Sequence, residues 1–201
     1  MKPLFIILVH LFSAILSSSV DSRAQEFKLE KEERISSVEM PERALEMLEP
    51  LLEETTNIKY YVEKDGERIS YECKFKFNNS KFSVEFNESG RLEDVEFVVT
   101  PEDLPIKTRN ALMGFLEDQY DRFKIKKFQK QYSSDNMGMP SVEIIARALN
   151  DDEDGMIIRY ELEVDGKQDR KLVNHELLFD QEGLFIRKRT IIRRQVDNIL
   201  Y

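Results

Sequence analysis

The 201-residue sequence has little of what usually announces a chemistry. It carries one cysteine, Cys73, so no disulfide can form within the chain and stability has to come from packing. It carries two histidines, His10 and His175, and the first lies in a leader-like segment. That supply argues against a zinc centre, which wants four Cys or His ligands at short spacings. Nucleophilic catalysis needs a base held against its nucleophile, and no spacing here ties His175 to Cys73. Basic residues are outnumbered, 30 Lys and Arg against 39 Asp and Glu, for a formal net charge of −9. An acidic chain of this kind is not, by bulk charge, a ligand for nucleic acid or for an anionic lipid surface.

Long apolar runs are absent too, except at the start. Met1-Lys2-Pro3 is a short basic opening, Leu4 to Leu16 is an almost unbroken apolar run, and Ser17 to Ser19 follow. Ser22 and Ala24 fit the −3 and −1 positions of a signal-peptidase site. Residues 1–24 therefore read as a signal peptide cleaved between Ala24 and Gln25, which implies a soluble periplasmic or secreted protein. A membrane anchor is the competing reading, but 13 apolar residues fall short of the roughly 20 that a helix needs to span hydrocarbon. No cysteine follows the run to accept a lipid, and no later segment is apolar for long enough to cross a membrane. With 41% hydrophobic residues, 13 Phe and 7 Tyr, a packed core is expected and a disordered chain is not.

What organises the rest is an eighteen-residue stretch that occurs twice. FSVEFNESGRLEDVEFVV at 82–99 aligns without a gap on HELLFDQEGLFIRKRTII at 175–192. Phe86 meets Phe179, Asn87 meets Asp180, and Gly90 meets Gly183. Each copy reads as strand, tight turn, strand, with Asn or Asp bonding its own backbone and Gly supplying positive φ. Residues 25–40 read as a charged N-terminal extension. A helix opens at Pro41, with Ala44, Leu45, Leu48, Leu51 and Leu52 on one stripe and Pro50 expected to kink or end it.

From Ile58 the period becomes two. Strands are expected at 58–63 and 68–77, joined by Asp65-Gly66, then around Phe82 to Phe86 and at 91–99. Ile69, Tyr71, Cys73, Phe75 and Phe77 share one face; Ser70, Glu72, Lys74 and Lys76 share the other. Residues 100–105 read as a linker. A second amphipathic helix from Ile106 follows, then a strand at 123–131 and a loop at 132–141. Residues 142–149 read as a strand, with a short helix fitting nearly as well. An acidic turn at 150–155, a strand at 156–164, a turn at Asp165-Gly166, and strands at 171–179 and 184–193 complete the chain. The expected fold is α+β: two tandem α-β4 units, each a helix packed on a four-stranded antiparallel meander. The first spans 41–99, and the second spans 106–195 with an insertion near 132–155.

Phe86-Asn87-Glu88-Ser89-Gly90, Phe179-Asp180-Gln181-Glu182-Gly183 and the Asp65-Gly66 hairpin resemble the PepSY-like family of exported bacterial proteins, over residues 40 to 193. That family shares its unit with the β-lactamase-inhibitor-protein (BLIP) fold. The resemblance implies a non-catalytic periplasmic or secreted module that binds or inhibits another protein or peptide of the cell envelope. It supplies no catalytic residues and no cofactor.

Candidate sites are few. Arg187, Lys188, Arg189, Arg193 and Arg194 form a basic run against an acidic background, a contact patch for an acidic partner or a solvated last strand that resists edge aggregation. The polar sheet face with Glu72, Lys74, Lys76, Lys81 and Glu85 is the other candidate surface. Asn150, Asp152, Asp154 and Glu161 fall at positions 1, 3, 5 and 12 of an EF-hand-like loop, a calcium alternative. The strand alternation after Met156 sets an acidic β-turn against it. His175 and Cys73 both read as packed side chains. A hydrolase using paired carboxylates is the remaining alternative, although no spacing singles out a pair.

Overall fold

The computed structural model describes residues 26–134 and 138–192. The leader-like residues 1–24 with the expected cleavage after Ala24, and Arg193 and Arg194 of the basic run, lie outside the described residues.

The period-two stretches become strands. They are β1 (Glu26–Lys28), β2 (Glu30–Ile35), β3 (Thr56–Asp65), β4 (Arg68–Phe77), β5 (Ser80–Asn87), β6 (Leu92–Val98), β7 (Arg122–Ser133), β8 (Ile157–Gln168), β9 (Lys171–Asp180) and β10 (Phe185–Ile191). The helices are α1 (Glu42–Leu52), α2 (Ile106–Gln119) and α3 (Ser141–Leu149). All ten strands belong to one sheet in the order β1-β10-β9-β8-β7-β6-β5-β4-β3-β2. Every neighbouring pair is antiparallel except β1 with β10.

This overturns the expectation of two separate helix-on-meander units. β6 pairs with β7 from Asp94↔Ser133 to Val98↔Gln129, so the sheet runs on without a break. The physical reason is the free edge that β6 would otherwise present, a row of unpaired amides and carbonyls that β7 satisfies. Between them Pro101–Asp103 forms one 3-10 turn, with Asp103 accepting from the Thr100 amide at 2.7 Å and hydroxyl at 2.8 Å. Residues 25–40, expected as an extension, contribute β1 and β2. Phe27 and Leu29 alternate with charged neighbours for only a few residues, and from Glu30 to Arg34 both faces are charged, which hides the strand.

β1 and β2 follow one another with only Leu29 between them, yet they hold opposite ends of the strand order. One continuous strand therefore pairs first with β10 and then with β3, and the sheet curls until its ends meet. The result is a nearly closed mixed barrel whose apolar side faces outward. Cys73, Phe75, Val84, Phe86, Val95, Tyr160, Leu162 and Phe179 lie on that outer side and are buried. Ala44 and Leu48 of α1, Leu112 and Leu116 of α2, and Ile144, Ile145 and Ala148 of α3 cover them. Each fully buried Phe or Leu stabilises by roughly 1.5–3 kcal/mol.

Two turns lock helices to the sheet. Asn87 Oδ1 accepts from the Ser89 and Arg91 amides, both at 3.0 Å, and Asp180 Oδ1 accepts from the Glu182 and Leu184 amides at 3.0 and 2.8 Å. Gly90 (φ +69°) lies against Pro41 and Ala44 of the α1 start; Gly183 (φ +81°) lies against Thr108 of α2. A Cβ on Gly183 would come within 2.5 Å of the Thr108 carbonyl oxygen.

Three local expectations are corrected. Residues 142–149 are helical, not a strand, because Pro140 precedes a run whose Ile144, Ile145 and Ala148 share a buried helical face. Asp165-Gly166 is no turn; it lies inside β8, and the reversal falls at Asp169-Arg170, both with positive φ. Glycine is needed at 166 because the Tyr120 ring packs on it, only 2.4 Å from where a Cβ would stand. Pro50 sits in the last turn of α1, which ends two residues later.

Candidate functional site: the polar interior of the sheet

Because the apolar face points outward, the polar face lines a concavity. Its volume is about 750 Å³, and β1 through β10 all contribute to its wall. Eleven carboxylate side chains and eight Lys or Arg side chains line it. An eight-stranded barrel is just filled by its own side chains; ten strands leave open space.

The carboxylates stand in cross-strand register. Glu72 faces Glu85 on the next strand, and Glu85 faces Asp94. Like charges directly opposite one another repel. Burial, then the Glu72 charge, pushes the Glu63 carboxyl up to about 10 and Glu85 up to about 7. Burial followed by neighbouring carboxylates raises Asp94, Glu96 and Glu161 as well. Glu85 and Asp94 are half-buried, open to the hollow while protein surrounds them. Gln131 donates to Asp94 Oδ2 at 3.2 Å and to Glu96 Oε1 at 3.0 Å, whereas the buried Asp94 Oδ1 has no hydrogen-bond partner among the described residues. Glu72 accepts from the Ser83 hydroxyl on one oxygen; the other, also without a hydrogen bond among the described residues, lies 2.8 Å from the Lys74 ammonium as an ion pair.

Cations gather at the seam where the sheet closes. Glu176 on β9 is 2% exposed and takes Lys28 of β1 at 2.6 Å and Arg189 of β10 at 2.6 Å. Arg189 reaches on to Asp65 of β3 at 2.6 Å, whose other oxygen accepts from the Leu29 amide at 2.9 Å. The two ends of the sheet are thus tied by charge as well as by the chain. Burial pushes Glu176 up, but Lys28 and Arg189 outweigh it, so its pKa is lowered. Burial works against the Lys28 charge, and Glu161, Glu176 and Glu30 overcome it, so its pKa is raised.

The structure divides the basic run. Arg187 and Arg189 line the concavity, with Arg187 4.0 Å from both Glu26 and Glu176. Lys188, one residue between them on the strand, is exposed on the other face, opposite Leu177. The polar sheet face is brought together: Glu72, Lys74 and Glu85 line the interior, and Lys74, Lys76 and Lys81 line an opening beside it.

The EF-hand-like residues are not gathered. Asn150 donates to the Ala146 carbonyl at 2.8 Å and ends α3, while Asp152 is held by Arg147 at 2.9 Å and by the Asp154 amide at 3.1 Å. Lys130 binds Asp151 at 2.5 Å and also Glu153, tying the acidic turn to β7. Glu161 is elsewhere, in the interior wall 3.9 Å from Lys127. Among the described residues the one group of three carboxylates close enough to share a cation is Glu30, Glu32 and Glu63. Two of these already face ammonium groups, Glu30 that of Lys28 at 2.5 Å and Glu32 that of Lys74 at 2.6 Å.

His175 is buried, its Nδ1 2.8 Å from the Tyr120 hydroxyl, and burial, then the Lys188 charge, pulls its pKa down to about 4. Cys73 is fully buried, and burial pushes its thiol up to about 12. The interior itself was within reach of the sequence only as a set of residues sharing a face. Glu30 and Glu32 lie where both faces of the strand are charged, so alternation does not mark them.

No protein-family model matches the chain, and neither does any curated protein. Several solved structures overlap it. A DUF2874 family protein from Bacteroides ovatus is 14% identical with a TM-score of 0.48, over 75% of this chain and 88% of its own. A BLIP-like protein from Bacteroides fragilis is 15% identical with a TM-score of 0.48, over 78% and 91%. A DUF2874 family protein from Bacteroides uniformis is 14% identical with a TM-score of 0.48, over 75% and 89%. Overlap at this level assigns the chain neither their family nor an activity.

Proposed function

We propose that the protein is an exported, non-catalytic binding module that receives a cationic segment of another protein or peptide in the polar interior of its curled sheet. The observation that carries this reading is the surplus of carboxylate in that interior. Eleven acids face eight Lys or Arg side chains there, and burial first, then the neighbouring carboxylates, raises Glu63, Glu85, Asp94, Glu96 and Glu161 in pKa. A Lys or Arg side chain entering the hollow relieves that repulsion and supplies the donor that Asp94 Oδ1 lacks. The wall is overwhelmingly polar, which disfavours an apolar guest. Cys73 and His175, the side chains best suited to nucleophilic chemistry, are buried in packing. Export rests on the basic start and apolar run within residues 1–24.

Calorimetry with a lysine-rich peptide and its glutamate-rich counterpart tests the reading. The cationic peptide should bind with proton release, tighter at pH 8 than at pH 5, and tenfold or more weaker to the Glu63→Gln/Glu85→Gln variant. No binding, or equal binding to wild type and variant, refutes it.

A further inference from the structure

Beside the interior, at the end of the sheet where β3 begins and β4 ends, lies a second opening of about 480 Å³ with the opposite character. Lys59, Lys74, Lys76, Lys81 and Lys127 border it. Lys74 is committed to Glu32 and Glu72, and Lys127 to Glu161. Lys59, Lys76 and Lys81 have no anionic partner among the described residues, in a chain whose acids outnumber its bases. Their placement is costly: Lys59 stands directly opposite Lys74, and Lys76 directly opposite Lys81. Like charges so placed destabilise a sheet.

A second observation points the same way. Gln129 borders the same opening and is 5% exposed, yet its side-chain oxygen is buried without a hydrogen-bond partner among the described residues. An oxyanion cannot donate to that oxygen, so the amide serves an anion by turning over to present its two N–H donors to the opening. Next to it across the ladder is Val98, an apolar side chain 52% exposed between Lys81 and Gln129. The volume is that of a small-molecule site, about 300–1,000 Å³, and exceeds what a bare inorganic anion fills.

We infer that this opening binds an oxyanion-bearing small molecule, its phosphate, sulfate or carboxylate group held by Lys59, Lys76 and Lys81, with Gln129 completing the polar contacts and Val98 underlying the organic body. The opening shares Lys74 and Lys127 with the carboxylate interior, but the anion contacts fall to the three lysines that the interior does not engage. Three lysines on adjoining strands give charge without the fixed fork of arginine, so the headgroup geometry is loosely specified.

Thermal melts and calorimetry at constant ionic strength test it, with inorganic phosphate, inorganic sulfate, benzoate and phenyl phosphate each replacing sodium chloride. Wild type should melt higher with each oxyanion than in the matched chloride buffer, and phenyl phosphate should bind at least tenfold tighter than inorganic phosphate. The ranking of benzoate, sulfate and phosphate tells which headgroup is preferred. The Lys59→Gln/Lys76→Gln/Lys81→Gln variant should lose the response and, without added oxyanion, melt higher than wild type because the opposed charges are gone. A retained response in the variant, or none in wild type beyond chloride, overturns the site. Equal affinity for phosphate and phenyl phosphate overturns the organic body.

Discussion

Replacing Arg189 by methionine should loosen the barrel where it closes. The guanidinium is 14% exposed and bridges Glu176, 2% exposed, to Asp65, so the substitution removes the charge link between β9 and β3 while keeping much of the side-chain volume. Stranding one partner of a buried ion pair costs about 3–5 kcal/mol. Here the lower end applies, because Lys28 still faces Glu176 at 2.6 Å, so about 3 kcal/mol is expected. For a chain of this size that is a fall of roughly 6–12 °C in Tm. A surface pair would fade at 1 M salt, whereas this one should persist. The Glu176→Gln/Arg189→Met double variant should lose less than the two singles added together, by about 1 kcal/mol or more. The pH dependence has a definite sign. Glu176 has a lowered pKa, so its contribution is full above the ordinary carboxylate range and is lost as pH falls through its own pKa; wild type and variant converge in acid. Hydrogen exchange adds a spatial check, with the Leu29 amide and the β1–β10 ladder speeding up before β4–β5. A loss below about 1 kcal/mol, or one abolished by salt, refutes the reasoning.

Other outcomes follow from the same geometry. Glu63 and Glu85 have raised pKa values, so the stability they leave intact below the usual carboxylate pKa is lost as pH rises toward about 7 for Glu85 and about 10 for Glu63. The Glu63→Gln/Glu85→Gln variant should therefore outlast wild type at pH 9 and match it at pH 5 in calorimetric melts. Gly166→Ala drives a methyl into the Tyr120 ring and should cost about 1–3 kcal/mol, with the His175 ring signals shifting in NMR as its 2.8 Å contact to Tyr120 is disturbed. Gly183→Ala meets the Thr108 carbonyl at positive φ and should destabilise by more than 1 kcal/mol in denaturant titrations. Cys73 should stay unreactive to a disulfide reagent at pH 8 in the native protein and react fully once unfolded, because its thiol is buried and raised to about 12.

Much of the outer, apolar layer was legible. The alternation Ile69, Tyr71, Cys73, Phe75, Phe77 named the side of β4 that meets the core, with Cys73 and Phe75 fully enclosed. The Asn87–Gly90 and Asp180–Gly183 turns announced themselves through residue types that only such turns need. What alternation cannot express is curvature. Ser70, Glu72 and Lys74 were known to share a face, but nothing in a period of two says that the face is the inside of a curl. Closure depends on β1 and β2, where Glu30, Glu32, Glu33 and Arg34 leave no amphipathic contrast to detect. α3 is nine residues long, too short for periodicity to separate helix from strand. Gly166 follows from Tyr120, 46 positions earlier, a contact that no local turn rule encodes.

Leu29 gives the molecule a single clasp. The ten residues around it guard both margins of the sheet at once, Glu26–Lys28 against β10 and Glu30–Ile35 against β3. Peeling that strip away uncovers two unsatisfied borders, each shaped to accept a strand, flanking one seam. A neighbour's strip that settles into either border leaves that neighbour open in turn, so exchange propagates from copy to copy and closes on itself only in pairs or rings. The same short ribbon that closes the sheet within one chain is what would string many chains together.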